Sequence, residues 1–263
     1  MRRFSPLFAL ALLLAALFSC KGQFDTLLES GSADEKFDAA FTYFNNGKYN
    51  RATKLFESLA VLTGGTERDD TVQFYWGLSS YRAKDYYTAE STFERFLQEY
   101  PRSPFAEQAE FLHVNCLYKS TLRYELDQTP TYKALAGLNE YLLKHLDSVN
   151  ADAVRSMIDD LNGRLDKKAF ENARLYYKME DYKASRVAFR NILKDDADNR
   201  YREDILYYTA MSSYKYANLS VSSKQKERFL VFTDDYLNFI GEYPESEHRK
   251  ELDALYEKVK RKN

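Results

Sequence analysis

Turn-forming residues are scarce: 9 glycines and 5 prolines in 263 residues are too few for a sandwich of many short strands, a collagen-like repeat or a low-complexity linker. Three histidines and two cysteines leave little material for a metal centre. Lys and Arg number 38 against 40 Asp and Glu, a net charge of −2. With no dense basic block outside the C-terminal tail, binding to nucleic acid through its phosphates is excluded. Past residue 18 no apolar run is long enough to span a bilayer. There is no Gly-rich phosphate loop, no Gly-x-Ser-x-Gly and no His-Glu-x-x-His, so the chain is read as no enzyme, with no cofactor and no metal. His113 and Cys116 share a helix face, but a structural zinc needs four ligands and no second pair accompanies them. The acidic pairs Asp69-Asp70, Asp159-Asp160, Asp195-Asp196 and Asp234-Asp235 read as solvated charge or as complements to helix N-termini. What is present is a 44% hydrophobic, 30% charged chain with 22 Tyr and 18 Phe, at spacings that predict an all-α fold packed through aromatic rings.

The first residues, Met1-Arg2-Arg3 and the apolar run Phe4 to Phe18, have the charged and hydrophobic regions of a signal peptide, expected over 1–19. Leu17-Phe18-Ser19-Cys20 resembles a bacterial lipobox, which makes Cys20 the expected lipidation site and mature N-terminus. Removal of 1–19 drops two cations and no acid and takes the net charge from −2 to −4, so acyl chains rather than charge would hold the protein to a membrane. Residues 20–33 are expected to be a lipidated tether of little pattern, the folded domain starting near Asp34.

Sliding the chain along itself aligns Gly47-Lys48-Tyr49-Asn50-Arg51-Ala52 with Lys84-Asp85-Tyr86-Tyr87-Thr88-Ala89 and Glu180-Asp181-Tyr182-Lys183-Ala184, with a weaker copy at Thr131-Tyr132-Lys133-Ala134. The element resembles the tetratricopeptide repeat, a pair of packed helices A and B. Ala40 and Gly77 on A helices, with Ala52 and Ala89 on B helices, would let axes approach, and Phe56 and Phe93 would fill the space between repeats. Five repeats are expected at about 34–64, 68–101, 104–147, 151–196 and 200–245, then a cap over 246–262. The third carries an insertion near Arg123 to Pro130, and the fourth a long helix A over about 151–179. Helix B of the fifth is expected from about 227. The expected architecture is one superhelical solenoid of about five such helix pairs plus a C-terminal capping helix. Inward positions of the first two A helices are Asp34, Phe37, Phe41, Phe44 and Asn45, then Thr71, Phe74, Leu78, Tyr81 and Arg82.

Tyr86 to Phe93 through Glu99-Tyr100-Pro101, the string Tyr124-Glu125-Leu126-Asp127-Gln128-Thr129, and Phe239 to Ser246, together with the lipobox and the repeats, make the chain similar to the outer-membrane assembly lipoproteins, the BamD family. His145-Leu146 stands where a Tyr-Pro end is expected, and Phe232 replaces a small residue of the fifth helix B. The resemblance implies a non-catalytic lipoprotein anchored in the outer membrane and facing the periplasm. It implies docking on a β-barrel assembly subunit through that subunit's periplasmic modules and delivery of unfolded outer-membrane clients. The client groove it implies is Phe37, Phe41, Phe44, Asn45, Phe74, Leu78, Tyr81 and Arg82. The alternative is a periplasmic repeat adaptor for division or peptidoglycan coordination, although no heptad run precedes the first repeat.

Overall fold

Three turns share one backbone device, and it sets the hairpins. Gly47, Lys84 and Glu180 all adopt the left-handed conformation, with φ of 71°, 65° and 62°. In each, the amide of the following residue reaches back to the carbonyl five residues before it: Lys48 to Tyr43 at 2.8 Å, Asp85 to Ser80 and Asp181 to Tyr176 at 3.0 Å. This is a Schellman C-cap, which satisfies the orphan carbonyls of the first helix. Asp85 and Asp181 then accept from the Thr88 and Ala184 amides at 3.1 and 3.0 Å and so start the second helix as N-caps.

The computed structural model describes residues 22–261; the expected signal peptide and Cys20 lie outside them. Among the described residues the chain forms twelve helices and no strand. They are α1 (Gln23–Ser30), α2 (Ala33–Asn45), α3 (Tyr49–Leu62), α4 (Asp69–Arg82), α5 (Tyr86–Glu99), α6 (Ala106–Lys119), α7 (Thr129–Lys144), α8 (Ala151–Lys178), α9 (Tyr182–Asp195), α10 (Arg202–Asn218), α11 (Ser222–Glu242) and α12 (Arg249–Lys260). The fold class is all-α, built of tetratricopeptide-like helix pairs.

Where one repeat domain was expected, the helices group into two compact units. Of the described residues, unit 1 takes in those up to Thr121 and then Thr129–Val154; unit 2 takes in Leu122–Gln128 and those from Arg155 onward. In unit 1, Ala40, Ala52, Leu55, Phe56, Leu59 and Val72 form one buried cluster, and Phe74, Leu78, Ala89, Phe93, Phe96, Ala109, Leu112 and Cys116 a second. Gly77 has a steric reason: a Cβ there would lie 2.7 Å from the Phe93 ring. In unit 2, Phe170, Ala173, Phe189 and Ile205 form one cluster, and α10, α11 and α12 form another around Phe229, Phe232 and Phe239. Phe232 is fully buried 5.3 Å from the Tyr214 ring. The small residues of that cluster, Ala210 and Ala217, stand on α10.

Three expectations differ from the structure. Residues 23–30, placed in a patternless tether, are helical, because Phe24, Leu27 and Leu28 supply an apolar face that packs on the first cluster of unit 1. Eight residues are too few to show a period or to hold a helix alone, so docking supplies the stability. Helix α11 starts at Ser222, not near 227, since its first turns are exposed and tolerate Ser, Lys and Glu. One of the paired acids is neither solvated nor at a helix start: Asp235, well inside α11, holds Arg186, whereas Asp69, in the first turn of α4 as expected, is also buried and bonded.

The inserted loop is ordered by unit 2. Lys168 Nζ donates to the carbonyls of Leu126 and Tyr124 at 2.7 and 3.1 Å, Lys167 stands 4.6 Å over the Tyr124 ring, and buried Gln128 donates to the Arg123 and Leu126 carbonyls.

Candidate functional site

In unit 1 a row of half-buried rings runs along the first helices of successive pairs. Phe37, Phe41 and Phe44 follow one face of α2 at three-and-four spacing. The Phe37 and Phe41 centroids are 4.9 Å apart, and Tyr75 of α4 meets Phe41 at 4.7 Å and Phe44 at 5.2 Å. Phe105, the residue just before α6, continues the row 6.3 Å from Tyr75. The edge-to-face geometry suits ring quadrupoles and leaves part of each ring open. Arg68 covers Phe37 at 5.1 Å and pairs with Asp34 at 2.7 Å, giving the row a polar rim. Such a surface can hold apolar side chains of a segment whose backbone still needs hydrogen-bond partners.

The structure brings Phe37, Phe41 and Phe44 together and leaves Asn45 and Arg82 exposed at the ends of α2 and α4. Two expected groove residues are core instead. Phe74, 2% exposed, stacks on Phe105 at 4.5 Å, and Leu78, 9% exposed, lies in the same cluster. The cause is the placement of α4 between two neighbouring helices. Buried residues stand on most sides of it, from Val72 and Phe74 through Gly77, Leu78, Ser79 and Ser80, and only the side of Thr71, Tyr75 and Arg82 is more open, so no narrow apolar stripe marks an inward face. Tyr81 is half-buried; its hydroxyl donates to Asn115 at 2.9 Å and burial pushes its pKa up. Tyr75 and Phe105 were missed. Tyr75 lies about 100° around the helix from Phe74, and Phe105 sits in a connector, where periodicity carries no signal.

Cys116 is fully buried, and burial pushes its thiol up to about 12, which leaves it without nucleophilic character near neutral pH. Burial also lowers the pKa of His113, which lines a 410 Å³ cleft with Glu94, Glu110, Glu140 and Lys144. Among the described residues no group of three or more His, Cys, Asp or Glu is placed to hold a metal ion.

Unit 2 offers a different surface. A 600 Å³ cleft between α9, α10 and α11 is lined by Arg186, Arg190, Lys194, Arg202, Asp234 and Glu242, among others. Two of the cations are spoken for by forked pairs: Arg186 with Asp235 at 2.6 and 2.9 Å, and Arg202 with Glu242 at 2.7 and 2.8 Å. Arg190 and Lys194 are exposed.

Residues 29–229, which contain the whole aromatic row, match the family model YfiO, described as an outer membrane lipoprotein. The chain belongs to the YfiO family. Among curated YfiO-like relatives, the outer membrane protein assembly factor BamD of Caulobacter vibrioides is 23% identical over 198 residues, covering 75% of this chain and 63% of that protein. The chain thus spans under two thirds of that relative's length. An Aquifex aeolicus protein named for the same factor is 28% identical over 244 residues, covering 90% of this chain and 76% of its own. Among solved structures, the TPR2AB domain of yeast Sti1 in complex with pHSP90 aligns with 87% of this chain and 98% of its own at 15% identity. Its TM-score is 0.41. No helix among the described residues is long and apolar enough to cross a membrane.

Proposed function

We propose that this YfiO-family chain is a non-catalytic scaffold of outer-membrane β-barrel assembly, lipidated at Cys20, held at the outer membrane and facing the periplasm. The aromatic row of unit 1 receives an extended segment of an unfolded barrel client, and the charged cleft of unit 2 docks on periplasmic modules of the barrel subunit. The observation that carries the reading is the open row Phe37, Phe41, Phe44, Tyr75 and Phe105, five rings that a closed core would have buried. A β-strand-forming client presents alternate apolar side chains to one side and unpaired backbone groups along its edge, which suits rings rimmed by Asp34, Arg68 and Asn45. The names of the Caulobacter and Aquifex relatives agree with a role in assembly. The exposed Arg190 and Lys194 give unit 2 a cationic contact for acidic loops of a partner.

The test is photocrosslinking from position 45 in membranes, combined with mild-detergent purification through a C-terminal tag. A large β-barrel protein with several periplasmic modules co-purifies, and Phe44→Ala with Tyr75→Ala lowers client crosslinking several-fold. Unchanged crosslinking removes the groove, and repeated absence of the barrel protein removes the docking.

A further inference from the structure

Helix α1 takes up most of the expected tether and docks it on unit 1. Phe24, Leu27 and Leu28 pack on the first cluster of unit 1. The Gly31 amide closes α1 on the Leu27 carbonyl at 2.9 Å, and the Ser32–Glu35 capping box fixes the entry into α2. Between Cys20 and the first residue of α1 only Lys21 and Gly22 intervene. Three Cα steps reach at most about 11 Å, roughly the diameter of one helix. An acyl chain on Cys20 therefore leaves the start of α1 no room to leave the headgroup layer.

The side chains around that point suit such a place. Phe24 meets the Tyr43 ring at 5.5 Å. The Arg51 guanidinium lies 5.3 Å from Phe24 and 5.4 Å from Tyr43, and Lys48 stands 5.9 Å from Tyr43. Arg51 and Lys48 are exposed and line an open 420 Å³ hollow with Asn50. Half-buried aromatics beside cations are what a membrane–water interface selects, and each cation near an anionic surface strengthens the attachment. The chain's net negative charge does not oppose this, because fields beyond a Debye length of about 8 Å are screened.

We propose that the face of unit 1 carrying Phe24, Tyr43, Lys48 and Arg51 is a membrane-docking surface, seated on anionic phospholipid headgroups by the two-residue connector. The inference rests on the lipoprotein reading of Cys20. The experiment uses the full acylated chain in vesicles of phosphatidylethanolamine and phosphatidylglycerol carrying a headgroup-attached quencher. Fluorophores are placed singly at Asn50→Cys and, as a control on the last helix pair of unit 1, at Leu143→Cys; buried Cys116 stays unlabelled. Quenching at 50 is several-fold stronger than at 143. It falls toward the control when a flexible spacer of about ten residues, with a reach near 17 Å, is inserted between Lys21 and Gly22. Lys48→Glu with Arg51→Glu weakens it on anionic but not on neutral vesicles, with the thermal unfolding curve unchanged. Equal quenching at 50 and 143 on acylated, vesicle-bound protein overturns the docking face alone. So does shielding of position 50 that appears only when the barrel subunit is added. A Cys20 that mass spectrometry finds unacylated, in protein that does not sediment with vesicles, overturns the anchor and this inference together.

Discussion

The Tyr100 hydroxyl donates a 2.6 Å hydrogen bond to the Asp69 carboxylate, tying the end of one helix pair to its beginning. Asp69 is 3% exposed and also accepts from the Gly65 amide at 3.0 Å and the Thr63 hydroxyl at 3.4 Å. The contact is repeated with other chemistry where the third pair ends: His145 pairs with Glu110, and Ser148 donates to Glu107 at 2.8 Å. The missing Tyr-Pro end thus has a working substitute. Because a buried carboxylate loses one of its donors, Tyr100→Phe should lower the stability of unit 1 by about 2 kcal/mol. Urea unfolding followed by amide exchange in α4 and α5 measures it; an unchanged midpoint would dismiss the bond as incidental.

Alkaline pH should weaken unit 2. Burial, reinforced by the 2.7 Å hydrogen bond to Asp253, pushes the Tyr236 phenol up to about 12. Its unfolded value is near 10. The folded state therefore holds this proton more tightly, and the resulting stability is complete below pH 10 and is lost as pH rises toward 12. The slope over that window is at most about 1.4 kcal/mol per pH unit for this group. Tyr236→Phe should flatten the decline in denaturant midpoints between pH 9 and 12; an unaltered decline would assign it to other groups.

Lys84 and Glu180 occupy left-handed positions where Gly47 stands in the first pair. A side chain there costs about 1 kcal/mol relative to glycine, partly offset by the entropy glycine restores to the unfolded chain. Lys84→Gly and Glu180→Gly should each stabilise by a few tenths to about 1 kcal/mol, read as higher thermal midpoints. A drop for both would mean that their side chains hold contacts worth more than the backbone relief.

Gly77→Ala should destabilise unit 1 by about 1–3 kcal/mol, the usual cost of overpacking, because the new methyl meets Phe93. Pairing it with Phe93→Leu should recover part of the loss, since both changes act on one contact. Purely additive losses in denaturant titrations would rule out that shared origin.

The helix pairs were legible wherever one face of a helix is apolar and the turn residue, Tyr and Ala recur. The all-α class, the small residues Ala40, Ala52 and Ala89 and the filling rings Phe56 and Phe93 could all be read from spacing, and all five are buried as that reading requires. Facing was not legible on α4, where burial on most sides blurs the stripe and Phe74, expected on the open face, is core while Tyr75 stays half-open. Helix α1 escaped because its stability comes from Phe24 and Leu27 docking on residues distant in sequence. Tyr75 and Phe105, which complete the ring row, escaped because a position's neighbour across a helix pair has no period in the chain.

The loop that Lys168 secures belongs to unit 2, yet it lies between two helices of unit 1. The backbone consequently passes from one unit to the other at three places, after Thr121, after Gln128 and after Val154. No single cut divides the molecule into self-sufficient halves: a fragment stopping at 154 keeps the 122–128 strap but forfeits the lysines that clamp it. A fragment starting at 155 keeps the clamp with nothing to grip, so excising unit 1 requires replacing that strap with a short linker, and excising unit 2 requires joining the strap back onto it.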